Sequence, residues 1–142
     1  METKIINWKK LWLSTFVSGI LMTVIAGAWH TFLALTFYNE QANAKHDGIG
    51  IIFIAYILLG FLMSLLYSIW KIHFPKLWQA VPFGCIIGAL WVFPHELAMV
   101  GAHGKLTLSY VFRNGAWHLV EQGIGAWIIG LVFQFSLRRI EQ

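Results

Sequence analysis

The sequence has one cysteine, Cys85, which excludes an internal disulfide and any redox framework built on a cysteine pair. It also has little charge. Lys, Arg, Asp and Glu together make up 11% of the residues, too few to keep a soluble domain dissolved. No Gly-rich phosphate loop, no G-x-S-x-G elbow and no HExxH occurs, so the chemistries built on those motifs lack their parts. The absence of CxxCH excludes covalent attachment of a c-type haem. The absence of an H-x-x-x-H ladder on one helix removes the pattern that a membrane di-iron oxygenase requires. There is no low-complexity tract and no sign of a second domain.

What the chain has is apolar length. Of its 142 residues, 58% are hydrophobic, the mean hydropathy is +0.68, and the apolar residues come in long runs, the signature of a membrane protein. Four spans are expected, over residues 11–38, 49–70, 80–102 and 115–137. The first exceeds the roughly 20 residues that a bilayer requires and is expected to tilt, or to bend near Trp29. Pro75 stops the second, Pro82 opens the third and Pro94 lies inside it. "HGKLTLSYVFRN" reads as the segment that leads into the fourth. Short connections make neighbouring spans antiparallel. The expected fold is therefore all-α, a polytopic up-down bundle of four transmembrane helices forming one domain.

The basic residues give a direction. Lys4, Lys9, Lys10, Lys71, Lys76, Arg138 and Arg139 fall on one side, and Lys45, Lys105 and Arg113 on the other. By the positive-inside rule this split places both termini in the cytoplasm, with the chain in the cell inner membrane. The net charge of +4 thus reads as a topology signal, and the expected partner is the lipid bilayer, with room for a homo-oligomer or a larger membrane complex, rather than nucleic acid. The start "METKIINWKK", its apolar run and Ala26-Gly27-Ala28 imitate a secretory signal with an A-x-A site. We read this segment as a retained anchor.

Spacings of three and four residues give each span a small or polar stripe. These are Gly19, Thr23, Ala26, Gly27 and His30; Tyr56, Gly60, Ser64 and Ser68; Gly84, Gly88, Trp91 and His95; and His118, Gln122, Ala126 and Gly130, with Glu121 beside them. In lipid, small residues mark close helix contacts, and Gly84-x-x-x-Gly88 is a formal GxxxG motif. Given the expected direction of each span and about 1.5 Å of rise per residue, His30, His95, His118 and Glu121 share one depth in the outer half of the membrane. The small residues lie mainly in the inner half. The expected shape is a bundle packed closely on the cytoplasmic side and splayed outside around a polar pocket, with His103 at its rim.

Ionisable groups inside a span are costly, at least about 2–3 kcal/mol each, so they are expected to have partners. His30, His95, His118 and Glu121 offer nitrogen and oxygen donors suited to zinc, copper or iron, and two histidines from different helices suit the iron of haem b. The same residues can equally form a buried hydrogen-bond network with Gln122 and the indole nitrogens. They can also hold a small organic ligand or carry protons. Glu96 sits about 100° round the helix from His95; it either reaches the pocket through the kink at Pro94 or sits in the headgroup region, and the second is the expected place. Cys85 is expected to be buried and inert. A further pattern is an echo: "GAWHTF" at 27, "GALWVFPHEL" at 88 and "GAWHLVEQ" at 115 each bring Trp and His close after Gly-Ala.

Both ends of the chain resemble a family of small bacterial membrane proteins, the DUF1761 proteins. "IINWKKLW" and "IAGAWHTFLALTFYNEQ" are similar to its start and first helix, and "NGAWHLVEQGIGAWIIGLV" to its last helix. Trp29-His30 stands where the family pattern has Trp-Tyr. The resemblance implies four membrane helices and no particular reaction.

Three readings of function remain open at this level. The first is a binding module whose outward-facing pocket holds a metal or haem-like ligand on His30, His95, His118 and Glu121. The second is a structural or accessory subunit of a membrane complex, in which these residues bond only to one another. The third is a membrane enzyme or transporter acting on a small lipid-soluble substrate, with His118 and Glu121 as an acid–base pair.

Overall fold

The computed structural model describes residues 6–33, 49–70, 76–103 and 107–138. Helix α1 (Trp8–Ala28) starts where the Asn7 side chain accepts from Lys10 N at 3.1 Å, satisfying one of the open N–H groups of the first turn. It passes into a π-helical turn, Trp29–Leu33. The bend expected near Trp29 is thus a change of winding, which rotates the residues after it relative to those before. Helix α2 (Ile49–Trp70) matches the expected second span. A 3₁₀ turn, Leu77–Gln79, leads into α3 (Ala80–His103), which runs on through Pro94.

Helix α4 (Leu108–Arg138) begins well before the expected position. The segment read as a connection is helical because its polar groups are satisfied locally. Thr107 Oγ1 accepts from Tyr110 N at 3.2 Å as a cap. Arg113 folds back on its own helix, donating to Ser109 O at 3.3 Å and Ser109 Oγ at 3.0 Å. The Asn114 amide donates to Glu96 on α3.

Four helices are long and apolar enough to cross a membrane, and among the described residues there is no strand. The chain is an all-α, multi-pass membrane protein built as a four-helix bundle. Its exposed residues include Ile51, Phe53, Ile54 and Leu90, which would be a liability in water and are the proper surface toward lipid. Helix α1 packs on α2 and α3 on α4, and the two pairs join through α1 and α4, whereas α2 meets α3 only sparsely.

Close approach explains the tightest pair. A Cβ on Gly84 would run into the Gln122 carbonyl, and one on Gly88 would lie 2.6 Å from the His118 carbonyl oxygen. The Gly84-x-x-x-Gly88 motif therefore lets α3 lie directly against the backbone of α4. The apolar core is built from Leu59, Met63 and Tyr67 of α2, Ala80 and Phe83 of α3, Ala126, Ile129 and Phe133 of α4, and Met22 of α1. These residues sit toward the end where α2 gives way to α3. Trp8, Trp12 and Trp78 are exposed at that same end, as expected of an interfacial belt. Of the residues that set the expected direction, Lys4, Lys45, Lys71, Lys105 and Arg139 lie outside the described residues, as do the side chains of His103 and Arg138.

Candidate functional site

The site is built on one turn of α4. The i, i+3 spacing puts His118 and Glu121 on one face, and Gln122 extends that face toward α3. Glu121 and Gln122 are both 0% exposed. His118 Nδ1 lies 2.9 Å from Glu121 Oε2, within ion-pair range. The ring N–H is not aimed at that oxygen, so the nitrogen makes no hydrogen bond. Gln122 Nε2 donates to the same Oε2 at 3.3 Å. From α2, the Tyr56 hydroxyl hydrogen-bonds to the Glu121 carboxyl. Donors from two helices thus gather on one carboxyl, yet among the described residues Glu121 Oε1 and Gln122 Oε1 find no donor.

Helix α1 reaches the site through its last residues. Trp29 stacks face to face on Trp117, with ring centroids 4.1 Å apart and planes 6° from parallel. Such a pair is worth about 0.5–1.5 kcal/mol beyond the area it buries. The next residue of the same motif, His30, lies within electrostatic reach of Glu121 and His118. Two of the three Gly-Ala-Trp-His echoes therefore meet, Trp on Trp and His near His. The third echo contributes Trp91 and His95 on α3.

Two cavities share a wall made of Trp91 and His118. One, of about 150 Å³, is lined by Ile52, Ala55, Tyr56 and Leu59 of α2 with Trp91, His118 and Gln122. It lies where α2 and α3 are least in contact, and Trp91 at its edge is 54% exposed. The other, of about 350 Å³, is lined by Trp91, Val92, His95, Glu96 and His118. A larger groove of about 430 Å³ along Val81, Cys85, Gly123 and Trp127 has an apolar lining. Cys85 is half-buried there, its thiol donating to Leu119 O at 3.4 Å.

The four residues proposed from sequence do not all converge. His118 and Glu121 are in contact, His30 is exposed beside them, and His95 is exposed in the outer cavity. Among the described residues no group of three or more His, Cys, Asp or Glu could hold a metal ion. Glu96 accepts from Asn114 and lines the cavity with His95 and His118, the pocket position that the kink at Pro94 left open to it. Asn114 belongs to the segment whose composition reads as a connection, so the sequence does not mark it as a site residue. Continuing the phase of α4 backward from His118 by four residues places it on the site face. Tyr56 and Trp91 were legible as stripe residues but not as members of the site.

No family model, no curated protein and no solved structure matches the chain.

Proposed function

We propose that this chain is an intramembrane binding protein that takes the polar head of a lipid-soluble ligand into the cleft between α2 and α3. The observation that supports this reading is Gln122, fully enclosed and with its Oε1 lacking a donor, in the wall of a cleft at the loosest edge of the bundle, next to the equally enclosed carboxyl of Glu121. Leaving a buried acceptor unsatisfied costs about 1–3 kcal/mol, and an ionisable group within a span adds to that cost. A site that tolerates both is better explained by a ligand than by folding. The volume limits what enters: about 150 Å³ is below the roughly 300–1,000 Å³ of pockets that enclose a drug-sized molecule. The head is held inside and the tail stays in lipid.

The excess of Lys and Arg at the closely packed end assigns that end to the cytoplasm and the cleft to the outer half of an inner membrane. A transition metal or haem b on His30, His95, His118 and Glu121 is the weaker form of the reading, since three donors do not converge among the described residues.

The test is extraction of the protein purified in detergent, with mass spectrometry of what comes out, beside elemental analysis and an absorption spectrum. The expected result is one stoichiometric amphiphile, lost when Ala55→Trp fills the cleft while the thermal melt is retained. A stoichiometric metal or a Soret band would move the assignment to the histidines. No ligand in either protein, with no saturable amphiphile binding, would leave a purely structural polar network.

A further inference from the structure

We infer that His118 is a proton relay, which carries protons between the cavity of about 350 Å³ and the enclosed carboxyl of Glu121. The inference does not depend on what the cleft between α2 and α3 binds.

Glu121 is 0% exposed and lines none of the three cavities, so a proton reaches it through a neighbouring group. Gln122 donates to it, but an amide does not titrate. Tyr56 bonds to it from α2, but a phenol parts with its proton only at strongly alkaline pH. His30 of α1 lies within electrostatic reach but lines no cavity. His118 does both: its Nδ1 is 2.9 Å from Glu121 Oε2, and its ring lines two cavities. Imidazole is the side chain that exchanges a proton near neutral pH, and either nitrogen can hold it. Nδ1 is enclosed while the side chain is 15% exposed, so the ring meets the cavities with its other atoms. Nδ1 makes no aligned bond to the carboxyl, which leaves the ring unlocked.

The larger cavity suits water. A water molecule takes about 30 Å³ in the liquid and needs polar partners, and this cavity is both roomier than that and lined by His95, Glu96 and His118. Glu96 accepts from Asn114 with Oε1, and among the described residues its Oε2 has no donor. That carboxyl can collect a proton from water within electrostatic reach of His118 and His95. The titratable groups around the ring are thus Glu121 on α4, Glu96 and His95 on α3, His30 on α1 and Tyr56 on α2. In the transfer, the ring takes a proton at Nε2 from a hydronium in the cavity and gives the one on Nδ1 to Glu121 Oε2. The hydronium becomes water, the carboxylate becomes neutral, and the ring is left neutral as its other tautomer. The reverse step restores it. Histidine and carboxyl groups in series inside a span are what intramembrane proton relays are made of.

The test follows the carboxyl of Glu121 by infrared spectroscopy after a rapid pH jump, with the full chain in phosphatidylcholine nanodiscs. The band that Glu121→Gln removes reports its protonation. His118→Phe should slow that band by at least about tenfold. His118→Ala should be equally slow and recover speed with added imidazole, which a merely structural histidine would not show. Glu96→Gln, which keeps an oxygen for Asn114, should slow the band by about threefold, and this variant decides where the His118 variants do not fold. Wild-type rates in the folded variants overturn the relay. So does slowing by His30→Phe or Tyr56→Phe as large as that by His118→Phe, which would route the proton through α1 or the cleft. A band that never titrates while the protein stays folded overturns it as well. None of these outcomes touches the amphiphile reading, which extraction tests separately.

Discussion

Where α2 gives way to α3, Met63, Tyr67, Phe83 and Phe133 close a core with little polar content. Two to three turns along α4, the same four helices enclose a carboxyl, two amide side chains and an imidazole, with oxygens left over. The contrast teaches how a small membrane bundle can hold such a group. Lipid tails are as apolar as the core, so association depends on packing and hydrogen bonds. The close end supplies the packing, and the loose end is held in shape by it. The largest expected effect is therefore at the glycine contact of α3 on α4. Gly84→Leu drives a side chain into the Gln122 backbone and should cost at least about 3 kcal/mol, since overpacking typically costs 1–3 and backbone can move least. In a thermal melt in detergent this variant should show little folded protein. Gly27→Leu, where nothing lies within 4 Å of an added Cβ, should melt with the wild type. Equal melting of both variants would break the comparison.

Much of this division is legible in the residues. Apolar length sets the helix count, the GxxxG spacing marks the α3–α4 contact, and the i, i+3 spacing of His118 and Glu121 marks the site. What escapes is whatever depends on rotation or on satisfaction at a distance. The phase of α1 changes at the π-turn, so a stripe drawn through His30 at constant period does not show that this ring ends exposed beside the cluster. The start of α4 is hidden because Ser109, Arg113 and Asn114 look like loop until their partners are known, and one partner, Glu96, is on another helix. A stripe phased on His95 leaves Glu96 out, whereas the packing of Gly84 and Gly88 on α4 decides which residue faces the cavity.

Second in size is Phe83→Ala. In water-soluble cores this change costs about 3–5 kcal/mol. Part of that is transfer from water, which lipid removes, so about 2–3 kcal/mol is expected here. Reversible unfolding in mixed micelles measures it. A loss below about 1 kcal/mol would mean that the close end is not where the stability lies.

Next comes the aromatic pair that ties α1 to the loose end. Trp29→Ala, Trp117→Ala and the double variant form a cycle. Its coupling should be about 1 kcal/mol, the stacking part of the contact. A coupling near zero would mean that the two Gly-Ala-Trp-His motifs meet without depending on each other.

The smallest effect on stability is expected at the most buried charge. Glu121→Gln keeps the shape of the side chain and still accepts from Tyr56 and Gln122 through its carbonyl oxygen. It loses the ion pair with His118, but it also loses the cost of an enclosed carboxylate. Buried pairs often come out near neutral against uncharged replacements, while removing one partner without replacing its hydrogen bonds is expensive. The net change should stay within about 1 kcal/mol. Glu121→Leu, which strands the Tyr56 hydroxyl and the Gln122 amide, should cost about 1–3 kcal/mol more than Glu121→Gln. If Glu121→Gln instead unfolds the protein as Gly84→Leu does, the carboxyl belongs to the framework of the bundle. The loose end would then be as structural as the close one, and its unsatisfied oxygens would call for an explanation other than a ligand.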